Sequence, residues 1–200
     1  MGLNKAKLKR YWKKTWWFIW EDTSVWSWIV NILLAFILIK FIVYPGLGLV
    51  LGTSYPVVAV VSSSMEHSSE FNEWWALQGD YYKDFGINQN EFKTYIFKNG
   101  FNKGDIIVLK GVKPENVKLG DVLVFSANRR DPIIHRVIKS WKEGDVYYFQ
   151  TKGDNNQKSI DDMEIKIHED KIIGKSVFRI PFLGYVKIGF VSLLKLAGVG

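Results

Sequence analysis

The chain has 200 residues, of which 48% are hydrophobic and 16% aromatic, with 27 Lys and Arg against 20 Asp and Glu, for a net charge of +7. Its length suits one domain with appendages. There is no cysteine, which excludes disulfides, thiolate catalysis and cysteine zinc sites while leaving the compartment open.

The charge is uneven. Residues 1–24 hold Lys5, Lys7, Lys9, Arg10, Lys13 and Lys14 against Glu21 and Asp22. Basicity is thus mainly a property of the tail, which argues against a nucleic-acid-binding face on the globular part. Residues 25–44 follow as VWSWIVNILLAFILIKFIVY. As a helix they would rise about 30 Å, the thickness of a bilayer core. Trp26, Trp28 and Tyr44 stand at the ends, where amphipathic rings favour the interface. Asn31 and Lys40 are the polar exceptions, and Lys40 is near enough to the end to snorkel. The basic cluster before the span predicts a cytoplasmic N-terminus with the rest of the chain outside. The span is long for a signal-peptide core and no small-residue cleavage site follows at once, so it reads as an uncleaved anchor.

Pro45-Gly46-Leu47-Gly48 is expected to end this helix. Residues 49–61 are apolar and β-branched toward their end, which predicts a strand entering a folded domain. It stops on Ser62-Ser63-Ser64-Met65-Glu66. Residues 67–103 are polar and aromatic with an irregular pattern, predicting one or two short helices with Trp74 and Trp75 free to pack or to dip into lipid. From Gly104 onward, short β-branched and aromatic runs at 106–110, 122–126, 133–140, 146–151 and 172–179 read as strands. Gly104-Asp105, Gly120-Asp121, Gly144-Asp145 and Gly153-Asp154 punctuate them as turns. This spacing predicts a mainly β fold, a bent antiparallel sheet or partial barrel. Residues 180–200 are apolar but carry Lys187 and Lys195, a marginal span or an interfacial helix.

A serine hydroxyl is a weak nucleophile and needs a base in hydrogen-bond reach, itself oriented by a third group. The sequence offers candidates. If the strand persists, Ser62 and Ser64 share a face, so that one could attack and the other donate to an oxyanion. His135 lies in the run Ile133-Ile134-His135-Arg136-Val137, on one face with Ile133 and Val137; a core histidine bonded to a carbonyl is the plain alternative. Asp154 could be a turn-former, and Asp161 and Asp162 could be solvated; any of the three could instead orient the histidine. His67, three residues from Ser64, is expected in an exposed turn.

The segments Ser62-Ser63-Ser64-Met65-Glu66, Lys103-Gly104-Asp105-Ile106-Ile107-Val108, Leu119-Gly120-Asp121-Val122-Leu123-Val124-Phe125, Pro132-Ile133-Ile134-His135-Arg136-Val137 and Thr151-Lys152-Gly153-Asp154-Asn155-Asn156 resemble, in order, the conserved boxes of type I signal peptidases. A histidine where bacterial members have a lysine base, followed by Gly-Asp-Asn-Asn, is similar to the archaeal and endoplasmic-reticulum branch. The resemblance implies Ser64 as nucleophile, His135 as base and Asp154 and Asp162 as functional acids, with Asp161 as the rival of Asp162. Ser62 is expected to support the oxyanion, and Val57, Val58, Ala59, Val60 and Val61 to pair with substrate. The chain departs from the family pattern in having His67 where proline usually follows Met-Glu, a longer spacing from Asp154 to the acidic pair, and the 67–103 insert.

The implied function is a membrane-bound serine endopeptidase removing signal peptides after small residues of the Ala-x-Ala type, with no cofactor or metal. Its domains are then a basic cytoplasmic tail (1–24), a transmembrane anchor (25–45), an extracytoplasmic catalytic domain (46–179) and a membrane-associated C-terminal segment (180–200). Expected partners are preprotein signal peptides, the lipid bilayer of the cell or endoplasmic-reticulum membrane and accessory membrane subunits, without nucleic acid. The competing readings are a non-catalytic membrane-anchored module of the same fold and a self-cleaving repressor-type protease, which would use a lysine base and a soluble DNA-binding domain.

Overall fold

The computed structural model describes residues 5–129, 131–185 and 189, and the chain divides into two compact units at Leu47 and Gly48. In the first unit, α1 (Lys5–Trp20) is a helix where the sequence suggested only a basic tail. A short turn leads to α2 (Val25–Leu38), capped by the Ser24 side chain accepting from the Ser27 amide. The helix runs on through a π-helical turn, Ile39–Val43, into α3 (Tyr44–Leu51). The apolar helix Val25–Leu51 is 27 residues long and could span a membrane.

Pro45 therefore does not end the helix. Proline removes one N–H and crowds the preceding turn, and the wide π turn just before it accommodates that disruption. The helix continues past Gly48, so residues 49–51 are helical rather than extended. The predicted 49–61 strand shrinks to β1 (Val57–Ala59).

The second unit is a curled antiparallel half-barrel of seven strands in the order β1-β2-β7-β3-β4-β5-β6. Beyond β1, these are β2 (Ile106–Lys110), β3 (Val122–Phe125), β4 (Ile133–Glu143), β5 (Val146–Lys152), β6 (Ile167–His168) and β7 (Ile172–Ile180). The two-residue β6 has too little pattern to be read from sequence. Gly104, Gly120 and Gly144 have φ of 90°, 83° and 60°, the left-handed turn conformation that glycine alone adopts freely. Gly153 needs no such φ, and its reason lies in the site.

Both faces of the sheet are covered. Val122 and Val124 of β3 point into a core with Val60, Met65, Phe101, Ile107 and Leu109. Leu123 and Phe125 point the other way, into a core with Ile133, Val137, Phe149 and Ile167. The 67–103 insert folds as α4 (Phe71–Lys83) and α5 (Gln89–Phe92). Trp74 and Trp75 do not reach out to lipid. They are buried with Tyr82, Ile87 and Phe92 against Ile138 of β4, because large aromatic surfaces packed together remove more apolar area from water than any exposed arrangement. The predicted C-terminal segment at 180–200 lies mostly outside the described residues.

Candidate active site

The site forms where β4, the loop after β1 and the loop after β5 meet. Just past β1 the chain is still tied to the residues that precede β2: Val60 N–H donates to the Asp105 carbonyl and Gly104 N–H to that of Val60. This fixes the start of the serine segment, and Met65 anchors its end, buried at 1% exposure. Between them the serines are held at the surface. The Ser62 and Ser64 hydroxyls lie 3.1 Å apart, so they share a side although the strand does not persist.

His135 is placed by the sheet. It pairs with Leu123 of β3 and sits on the face that carries Ile133 and Val137. Its side chain is nearly buried, and its Nε2 lies 2.8 Å from Ser64 Oγ. Its Nδ1 meets the Glu164 carboxylate. With the carboxylate accepting from Nδ1–H, Nε2 carries the lone pair and accepts from the Ser64 hydroxyl. This serine–imidazole–carboxylate chain has the connectivity that activates a serine.

The carboxylate against His135 is thus Glu164, and not one of the aspartates named from the sequence. Asp161 and Asp162 are exposed. Asp161 faces Lys158 at 3.6 Å, and Asp162 occupies a left-handed turn at φ 51°. Glu164 is fully buried and well held: Oε1 also accepts from Thr151 Oγ1 at 3.1 Å and Oε2 from the Ile160 amide at 2.6 Å. The Thr151 amide donates to the Glu164 carbonyl at 3.0 Å, and Thr151 pairs with Val137 of β4. This ladder carries position 164 to the face of His135. The longer spacing after Asp154 left Asp161 and Asp162 as rivals and gave no sign of Glu164, which lies further still from Asp154.

Asp154 lies beside the site and is spent on Arg136. Arg136 Nε and Nη2 donate to its two oxygens at 2.9 and 2.7 Å. The remaining guanidinium protons go to the Ile96, Phe97 and Gly120 carbonyls, while the group stacks 4.6 Å over Phe92. Tyr82 donates to Asp154 at 2.7 Å, and His67 Nε2 donates to it at 3.0 Å. Burial works to raise the Asp154 carboxyl, but the Arg136 charge and the bonds from His67 and Arg136 overrule it and hold it well below the usual carboxylate range. Burial, reinforced by the Asp154 charge, pushes the Tyr82 phenol well up.

His67 is not in an exposed turn. Its side chain is 2% exposed and stacks on Trp74 with centroids 3.7 Å apart and planes 9° apart. The Asp154 bond and the Trp74 stacking hold the ring in place, although its Nδ1 is buried without a hydrogen-bond partner among the described residues; neither neighbour is adjacent to His67 in the sequence. Lys152, opposite Arg136 in the sheet, is also buried; its ammonium donates to Gln78 Oε1 and the Gly153 carbonyl. Burial pulls it down to about 8 against the Asp154 and Glu164 charges.

The Gly153-Asp154-Asn155-Asn156 loop closes on the serines. The Asn155 amide donates to the Ser64 carbonyl at 2.8 Å and its side chain to that of Ser63 at 3.1 Å. A Cβ on Gly153 would stand 2.8 Å from both His135 Nε2 and the Ser64 carbonyl oxygen, so only glycine lets the backbone come this close.

Of the residues expected to pair with substrate, Val57, Val58 and Ala59 form β1, which stands at the edge of the sheet and, among the described residues, pairs with β2 alone. Val60 belongs to the core and Val61 is exposed. Among the described residues no group of three or more His, Asp or Glu gathers as a metal ligand set.

No protein-family model matches the sequence. It is 30% identical over 156 residues to the signal peptidase complex catalytic subunit SEC11 of Colletotrichum graminicola, covering 74% of this chain and 71% of that protein. The protein of the same name from Scheffersomyces stipitis is 27% identical over 74% of this chain and 73% of its own length. Human SEC11C is 27% identical over 73% of this chain and 62% of its own. With the half-barrel, the apolar N-terminal helix and this similarity together, the chain belongs to the family of signal peptidase complex catalytic subunits, the endoplasmic-reticulum-type branch of the type I signal peptidases.

Proposed function

We propose that this protein is a membrane-bound serine endopeptidase that removes signal peptides, with Ser64 as nucleophile, His135 as general base and Glu164 as the group that orients His135. The observation that carries the reading is the 2.8 Å contact between Ser64 Oγ and His135 Nε2, with a buried carboxylate on the other ring nitrogen.

Ser64 Oγ attacks the scissile carbonyl carbon while its proton passes to His135 Nε2. Negative charge develops on the carbonyl oxygen, and the Ser64 backbone N–H and the Ser62 hydroxyl are the candidate donors to it. Collapse breaks the C–N bond, and His135 returns the proton to the leaving amine. Water, deprotonated by His135, then hydrolyses the ester and restores the serine. Glu164 holds the reactive tautomer and balances the imidazolium charge. Asp154 acts at a distance, holding the 153–156 loop that contacts the serines.

The outer edge of β1 suits an extended substrate added as a strand, giving main-chain hydrogen bonds and placing the scissile bond beside Ser64. Small side chains before the cut fit the reading, with Val57, Val58, Ala59 and Val61 lining the approach. Residues 1–24 are read as cytoplasmic, 25–45 as the anchor and 46–179 as the extracytoplasmic catalytic domain, in keeping with the basic cluster before the span. The relatives are named as subunits of a complex, so accessory membrane subunits are expected here. Ser64→Ala should abolish cleavage of a preprotein substrate by the purified protein in detergent while leaving membrane insertion intact. Retained cleavage would sink the assignment.

A further inference from the structure

We propose that α1 is an interfacial membrane helix that docks on anionic lipid headgroups, and not a free tail. The inference rests on reading Val25–Leu51 as a membrane span. It is carried by the two-sided build of α1 and by the way its end is tied to α2.

Leu8, Trp12, Trp16 and Trp20 recur every four residues and form one stripe. The Trp12 and Trp16 rings lie 6.4 Å apart, and those of Trp16 and Trp20 5.7 Å. All three indoles are at least half exposed, at 69%, 52% and 69%. A continuous row of exposed tryptophans is costly in water and favourable at a headgroup boundary, where the ring is apolar and its N–H stays wet. Lys7, Arg10 and Lys14 fall on the opposite side at spacings of three and four, flanked by the exposed Tyr11 and Trp17, with Lys13 at the boundary beside Trp20. Lys5 and Lys9 share the aromatic side only in the first turns, where their long stems can snorkel. The helix contains no acidic residue, so its charge complements an anionic surface. With six cations among sixteen residues it cannot cross the bilayer itself.

The end of α1 is fixed at the right level. Ser27 Oγ donates to the Phe18 carbonyl at 2.6 Å and Asn31 Nδ2 to the Ile19 carbonyl at 2.9 Å. Asn31 is six residues into α2, about 9 Å along it, near the mouth of a core about 30 Å thick. The same bond explains the asparagine in the span, since its amide is satisfied by the open end of α1. Phe18 and Ile19 alone in α1 are half-buried, so the tryptophan rings stay open to a membrane surface.

The native chain has no cysteine, so single nitroxide labels can be placed at Trp16→Cys, Lys14→Cys and Leu34→Cys in the full protein. Each is reconstituted in phosphatidylcholine vesicles with and without phosphatidylglycerol, and collision with oxygen is compared with collision with a nickel chelate. With phosphatidylglycerol, the label at 16 should be lipid-immersed and that at 14 aqueous. Without it, the label at 16 should shift toward water. Neutralising Lys7, Arg10 and Lys14 to Gln should lower the docked-to-free ratio roughly fivefold per cation. A label at 16 that stays aqueous on anionic vesicles, or becomes shielded only when RNA is added, overturns the proposal. The label at 34 separates the two readings: if it too is aqueous, the span is wrong, and if it alone is deep, only the interfacial helix is wrong.

Discussion

Replacing Glu164 with Gln keeps the size of the side chain and removes its charge. Both carboxylate oxygens are committed: one accepts from His135 and Thr151, the other from the Ile160 amide at 2.6 Å. An amide can satisfy only one side. If its oxygen faces His135, its NH2 meets the Ile160 N–H head on. If the NH2 faces His135, the ring must put its proton on Nε2, where it can no longer accept from Ser64. In the serine-protease template, the matching carboxylate-to-amide change lowers kcat by roughly ten-thousandfold, about 5.5 kcal/mol of transition-state stabilisation. The loss should fall on kcat, with KM nearly unchanged, because Glu164 does not touch substrate. The assay is steady-state cleavage of a signal-peptide substrate, with thermal unfolding run alongside to confirm the fold. Asp162→Asn, at an exposed turn, should stay within a few-fold of the parent. A fully active Glu164→Gln, or an inactive Asp162→Asn, would refute the relay as drawn.

Asp154→Asn leaves Arg136 buried without its counter-charge and should destabilise the fold by about 3–5 kcal/mol, read as a fall in the unfolding midpoint. Gly153→Ala drives a methyl toward His135 Nε2 and the Ser64 carbonyl; a displacement of this kind should lower kcat on the order of a hundredfold in the same cleavage assay. For Lys152, the folded value of about 8 lies below its unfolded value, so between these two the unfolded state binds more protons and stability rises with pH. The buried ammonium therefore opposes folding below pH 8, by about 3 kcal/mol. Denaturant titrations should show the parent gaining stability from pH 8 to 10 relative to Lys152→Met, and parallel curves would contradict this.

The parts of the fold that were legible in the sequence are those governed by local period. β2 to β5 and β7 show β-branched runs cut by Gly-Asp turns, and the alternation along β4 separated His135 from Arg136. Residues set by long-range pairing were not legible. Glu164 reaches His135 only because the Thr151 ladder turns it inward, and it stands in an acidic stretch that reads as solvated. His67 had no visible reason to be buried, since Trp74 and Asp154 come to it from separate elements. Pro45 was misleading because a π turn, invisible to composition, absorbs the disruption. In residues 1–24 the cluster of cations dominates the composition and masks the four-residue spacing of Leu8, Trp12, Trp16 and Trp20.

The most direct test of the central claim is to locate the covalent intermediate. A signal-peptide-derived ester, mixed with the protein and quenched in acid before turnover completes, should leave the acyl mass on the peptide bearing Ser64. The adduct should vanish in Ser64→Ala and accumulate far more slowly in His135→Ala. An acyl group on any other residue, or cleavage with no intermediate and undiminished in Ser64→Ala, would contradict the account.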